Sequence, residues 1–113
     1  MTTLYTIHAV DDQKLAGVVA EMKRRGSPTI RVVDCDDYLI ALEGVHRIAA
    51  AELLGIALNL EILDQASMVA ADSLDWQDLT SGEEYTAGEL AFEAYSPSCG
   101  IYRLNDDDTV EAV

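Results

Sequence analysis

At 113 residues, half of them apolar, the chain is long enough for one domain with a single modest core and too apolar to be a disordered acidic tail. Seven Lys and Arg against 21 Asp and Glu give a net charge of −14, a surface that repels phosphate backbones and disfavours nucleic acid as a partner. No apolar run is long enough to span a bilayer, and no basic n-region precedes an apolar stretch at the start, so a soluble cytoplasmic protein without membrane contact is expected.

Residues 4–10, "LYTIHAV", alternate enough to predict a first strand. "DDQKLAGVVAEMKRRG" follows with the punctuation of a helix: Asp11 or Asp12 as the cap, Lys23, Arg24 and Arg25 in the last turn, Gly26 as the stop and Pro28 beyond. Leu15, Val18, Val19 and Met22 fall on one stripe for burial, while Lys14, Gly17 and Glu21 fall on the opposite side. "TIRVVD" and "YLIAL" read as two strands joined by a tight turn at "CDD". After "EG" the chain turns at once into a helix from about Val45 to Leu54, closed by Gly55. That helix is apolar almost all round and is expected to be covered on two sides.

Residues 58–63 alternate as a further strand, and residues 65–74, "QASMVAADSL", look helical. In residues 86–95 Thr86 and Glu89 have capping-box spacing, although "LAFEAY" suits a strand equally. Residues 101–104 and 109–113 flank "NDDD" as a terminal hairpin. Cys35 and Cys99 lack CxxC spacing and read as free thiols rather than a disulfide framework or a zinc site, and no protein metal site is predicted.

The charge is lopsided: residues 1–63 hold nine acids and six Lys or Arg, whereas residues 64–113 hold twelve acids and the single base Arg103. A group that handles an anion therefore belongs in the first part. The junction "LEGVHR" supplies one. A first helical turn leaves N–H groups without partners at the positive end of the peptide dipoles. Gly44 allows a sharp turn and close approach of a ligand, Val45 begins the helix, and His46 and Arg47 add cationic character, Arg47 with a fork that matches phosphate. The plainer alternative is structural, with Arg47 paired to Glu43 or Glu21, His46 packed or capping, and Lys14 a solvated surface lysine.

Taken together, "DDQKLAGVVAEMKRRG", "SPTIRVV" and "YLIALEGVHRIAAAELLG" resemble, in order and separation, the ParB/sulfiredoxin superfamily over about residues 4–64. The resemblance implies an α+β fold, a small mixed sheet flanked by helices. With no linker long enough to divide the chain, one domain over 1–113 is expected, the resembling core at 4–64 carrying an acidic C-terminal extension, 65–113, packed on it. The resemblance further implies a nucleotide site in which Gly44, Val45, His46 and Arg47 hold phosphates and Lys14 reaches the nucleotide, with Mg2+ and a nucleoside di- or triphosphate as the ligand. Gly17 and Glu21 stand where sulfiredoxins have hydroxyl residues, and Glu21 would repel phosphate unless Arg47 or a metal offsets it. Sulfiredoxin chemistry needs a cysteine between the glycine and the histidine; Val45 stands there, which speaks against sulfinic-acid reduction. An acidic segment replaces the DNA-binding region that follows this block in ParB proteins, which speaks against DNA partitioning. Some relatives are small-molecule kinases with an acid just before the glycine, where Glu43 stands, so Glu43 is the candidate general base or magnesium ligand.

Two functions of different class follow. One is a nucleotide-binding ParB/sulfiredoxin-like domain that hydrolyses a nucleotide or transfers its phosphate to a small molecule. The other is a non-catalytic regulatory or interaction module whose acidic second part meets a basic protein partner. Nuclease activity ranks last, because no cluster of acids is joined to basic DNA contacts.

Overall fold

Asp11 sets where the first helix starts. Its carboxylate accepts from the N–H groups of Gln13 and Lys14 at 2.9 and 3.2 Å, opening α1 (Asp12–Arg25). Gly26 ends it at φ 81°, its N–H donating to the Met22 carbonyl, as the sequence predicts for a glycine past a basic last turn. In this computed structural model the described residues are 2–7, 10–70, 84–94 and 100–113. The expectation of free thiols is met for Cys35, which is buried; Cys99 lies outside the described residues.

The strands are β1 (Thr2–Thr6), β2 (Thr29–Asp34), β3 (Tyr38–Ala41), β4 (Asn59–Leu63), β5 (Met68–Ala70), β6 (Glu84–Thr86), β7 (Ile101–Leu104) and β8 (Val110–Ala112); the further helices are α2 (Val45–Leu54) and α3 (Ala87–Ala94). Six strands form one mixed sheet in the order β4-β2-β3-β1-β7-β8. The hairpin β2–β3 is antiparallel, whereas β1 runs parallel to β3 and β2 parallel to β4. Each parallel pair is separated in sequence by a helix and a strand: α1 and β2 lie between β1 and β3, and β3 and α2 lie between β2 and β4. A separate two-stranded ladder joins β5 to β6. The architecture is therefore a compact α+β domain with a six-stranded mixed sheet and, among the described residues, three helices.

Alternation along the strands builds two cores. Ile30 and Val32 of β2 and Leu39 and Ala41 of β3 meet Met22 of α1 and Ile48, Ala50 and Ala51 of α2 on one face. Leu15, Val18 and Val19 complete that stripe of α1, as the helical spacing predicts. Val33, Ile40 and Leu42 face the other way, onto Ala87, Leu90 and Ala91 of α3 and Val69 of β5. As expected, α2 is covered on two sides, by α1 and by the sheet, including its edge strand β8.

Two readings of the sequence need correction. The first strand occupies Thr2–Thr6 rather than residues 4–10, because its pairing with β3 stops where β3 stops, at Thr6 opposite Ala41; residues 8 and 9 lie outside the described set. Residues 65–74 do not begin as a helix: Met68–Ala70 is β5, held by its ladder to Glu84–Thr86 with Val69 buried, and residues 71–74 are outside the described set. Local propensity there yields to a tertiary partner. The ambiguous stretch after Thr86 is helical, with the Thr86 hydroxyl accepting from the Glu89 N–H at 3.2 Å. The "CDD" turn is as expected: Asp36 takes φ 68°, and its N–H donates to the Asp34 carboxylate. The last hairpin also forms, and its first strand, β7, joins the sheet against β1. Among the described residues no helix is long and apolar enough to cross a membrane.

Candidate functional site

The hairpin β2–β3 delivers the chain to Gly44, which adopts φ 77° and caps α2 without any side-chain hydrogen bond to its first turn. No acidic residue occupies that turn either. The N-terminal amides of α2 therefore keep their partial positive charge, uncancelled by a local carboxylate cap. Gly44 is required here for two reasons. An L-residue is strained at this φ, and a Cβ would sit 2.5 Å from the Ile30 Cδ1 and 3.1–3.2 Å from the Arg47 guanidinium. Arg47 thus lies directly over the glycine.

Between this junction and the C-terminal half of α1 lies a cavity of about 340 Å³. Val18, Met22 and Pro28 give it an apolar wall; Glu21, Arg25, His46 and Arg47 give it charged and polar groups, and Gly44 contributes backbone. Its size is at the lower end of the range of about 300–1,000 Å³ usual for small-molecule sites.

Arg47 keeps 36% of its side chain exposed. Its Nη1 donates to the Thr29 carbonyl at 3.0 Å, and its Nη2 stands 3.8 Å from the Glu43 carboxylate, outside hydrogen-bond range. A guanidinium carries five N–H bonds, so this one is oriented by the fold while retaining donors for a ligand. Among the described residues no buried side-chain nitrogen or oxygen lacks a partner, so the spare bonding capacity of the site is at its open side.

His46 lines the cavity in a different role from the cationic one its sequence position suggests. Its Nε2 accepts the backbone N–H of Asp11 at 2.9 Å, which fixes that nitrogen as unprotonated and ties the cap of α1 to the first turn of α2. It contributes orientation rather than charge. Asp11 itself is held below the ordinary carboxylate range, first by the Lys14 and Gln13 N–H bonds it accepts.

Glu43 is committed elsewhere. Arg31 of β2 grips it with two bonds, Nε to Oε2 at 2.6 Å and Nη2 to Oε1 at 3.0 Å, and only 12% of the Glu43 side chain is exposed. A general base with both oxygens in a bidentate pair has first to give up two charge-assisted hydrogen bonds. The sequence anticipates a pair of Glu43 with Arg47, present at 3.8 Å, but not the closer partner Arg31. The signal for Arg31 is present, a single cation inside the strand-like run "TIRVVD".

Lys14 does not join the group. It is exposed on the first turn of α1, is not part of the cavity lining, and stands seven residues before Glu21, about 10 Å along the helix axis. Glu21, which lines the cavity, is offset by Arg25 one turn later at 3.2 Å rather than by Arg47. Val45 is buried at 7% exposure, so only its backbone remains as a candidate ligand contact. Among the described residues no group of three or more His, Cys, Asp or Glu side chains is placed to hold a metal ion.

Comparison of the chain with protein-family models, with curated proteins and with solved structures finds no match.

Proposed function

We propose that the chain is a ParB/sulfiredoxin-like domain that binds the phosphates of a nucleotide in the cavity between α1 and α2. The observation that carries this reading is the placement of Arg47: a partly exposed guanidinium lies over a glycine at an uncapped helix N-terminus and faces a cavity of small-molecule size. The apolar wall of Val18, Met22 and Pro28 suits the base or ribose edge of such a ligand, while the Gly44 turn suits its anionic end. The order of elements agrees with the likeness drawn from "LAGVV", "SPTIRVV" and "LEGVHR".

Binding is the core of the proposal. Any Mg2+ would arrive on the nucleotide's own phosphates, with Glu21 the carboxylate lining the cavity that could face it. Hydrolysis or phosphate transfer requires Glu43 to leave Arg31, so Glu43 serves the resting site as a structural anion. A thermal-shift panel of ATP, ADP, CTP and GTP, each with and without Mg2+, tests the reading. At 100 times its dissociation constant the right ligand stabilises the fold by about 2.7 kcal/mol. Arg47→Ala should abolish that rise; no shift with any nucleotide at millimolar concentration overturns the reading.

A further inference from the structure

Three charges meet behind the cavity. Arg31 and Glu43 form the bidentate pair, at 2.6 and 3.0 Å, and Arg47 waits 3.8 Å from the same carboxylate. Neither Arg31 nor Glu43 lines the cavity, whereas Arg47 does. Exposure follows the same order: 12% for Glu43, 22% for Arg31 and 36% for Arg47. The trio carries one net positive charge, and the surplus resides on the member that faces the ligand space.

Without Arg31, the Glu43 carboxylate would be left mostly buried with no partner in that fork, a costly state for an ionised group. Glu43 and Arg47 are four residues apart across the start of α2, a spacing at which an acid and a base pair directly. Closing the gap from 3.8 Å to hydrogen-bond range needs only a side-chain adjustment. Arg47 would then be neutralised by its own neighbour.

We infer that Arg31 is a positioning residue for anion capture: by occupying both oxygens of Glu43 it keeps Arg47 out of a closed ion pair and presents its guanidinium to the cavity. The inference rests on the proposed anion site but makes a claim of its own about Arg47, which can be read with no ligand present. Its chemistry gives the two neighbouring arginines opposite duties. One satisfies an internal acid so that the other remains available.

The experiment combines two readouts on wild type, Arg31→Met, Arg31→Lys, Glu43→Gln and the double variant Arg31→Met with Glu43→Gln. One is labelling of Arg47 by phenylglyoxal, followed by peptide mass spectrometry; the other is calorimetric affinity for inorganic pyrophosphate. In Arg31→Met, Arg47 labelling should slow several-fold and pyrophosphate should bind about tenfold more weakly, the equivalent of one charged hydrogen bond. Arg31→Lys should recover part of both. The double variant should restore both toward wild type, because the acid that captures Arg47 is gone. Should Arg31→Met fail to fold, Glu43→Gln alone decides: the inference expects labelling and affinity at or above wild type, where a merely structural pair would lower both. Unchanged labelling in Arg31→Met, or a double variant as impaired as the single one, overturns the inference. If labelling follows this pattern while wild type binds no pyrophosphate, the positioning role stands and the anion-site reading falls.

Discussion

The two long helices of the first half begin in opposite ways. At α1 the Asp11 carboxylate takes the N–H groups of Gln13 and Lys14, and Asp12 adds a second acid to the first turn. At α2 a glycine in the left-handed region offers no side chain, and the first turn contains no acid. Both starts are peptide dipoles of the same sense, but only one is already answered by the chain. The difference explains why Arg47, rather than the equally early Lys14, carries the candidate site. An anion approaching α1 meets a carboxylate first, while one approaching α2 meets amides and a guanidinium. His46 links the two starts by accepting the Asp11 N–H.

The sharpest way to break the contrast is to fill the open start. Gly44→Ala forces an L-residue to φ 77° and places a methyl 2.5 Å from Ile30 Cδ1. The conformational strain alone is about 1–2 kcal/mol, and the clash adds to it, so a chemical-denaturation midpoint well below wild type is expected. Stability equal to wild type would mean that the junction is not held as described.

A smaller loss is expected from opening the closed start. Asp11→Ala should lower the melting temperature by removing the cap, whereas Asp11→Asn should largely keep it, because an amide oxygen accepts the same bonds. The pH dependence separates the two atoms' roles. Asp11 is held below its usual value of 3.8 in the folded state, so its contribution is full above that value and is lost as pH falls through the lower folded one. Melting curves recorded on the acid side should therefore be flatter with pH in Asp11→Asn than in wild type; identical slopes would rule the carboxylate out as the source.

The least change in stability is expected at Glu21, whose pair with Arg25 is exposed, 46% and 78% respectively. Glu21→Gln should alter stability by no more than about 0.5 kcal/mol. Removing an acid from the cavity wall should nevertheless tighten pyrophosphate binding, measured by calorimetry at low salt. Weaker binding would show that Glu21 holds Arg25 in place for the ligand.

Much of the scaffold was legible because its signals are local. Asp11 and Gly26 bracket α1, Gly44 and Gly55 bracket α2, and the asymmetry between capping carboxylates and terminating glycines needs no tertiary partner. The β2–β3 hairpin was likewise readable from two apolar runs around "CDD". Met68–Ala70 was not, since its strand exists by virtue of a partner fourteen or more residues away in sequence at Glu84–Thr86. The site divided along the same line. Its glycine, histidine and arginine are visible as a motif, but that Lys14 stays outside the cavity lining, that His46 accepts a hydrogen bond and that Arg31 holds Glu43 are not.

The sequence by itself determined where α1 and α2 start and stop, which faces of α1 and α2 are apolar, and that the cations are concentrated before residue 64, because each of these is set by neighbouring residues or simple composition. Only the tertiary structure decided how those cations are spent. Glu43 takes its two hydrogen bonds from Arg31 and keeps only a 3.8 Å ion pair with Arg47, because the antiparallel pairing of β2 with β3 brings an arginine twelve residues upstream beside it. A charge has no fixed role until folding chooses its partner, and that choice is made by strand register across space rather than by spacing along the chain.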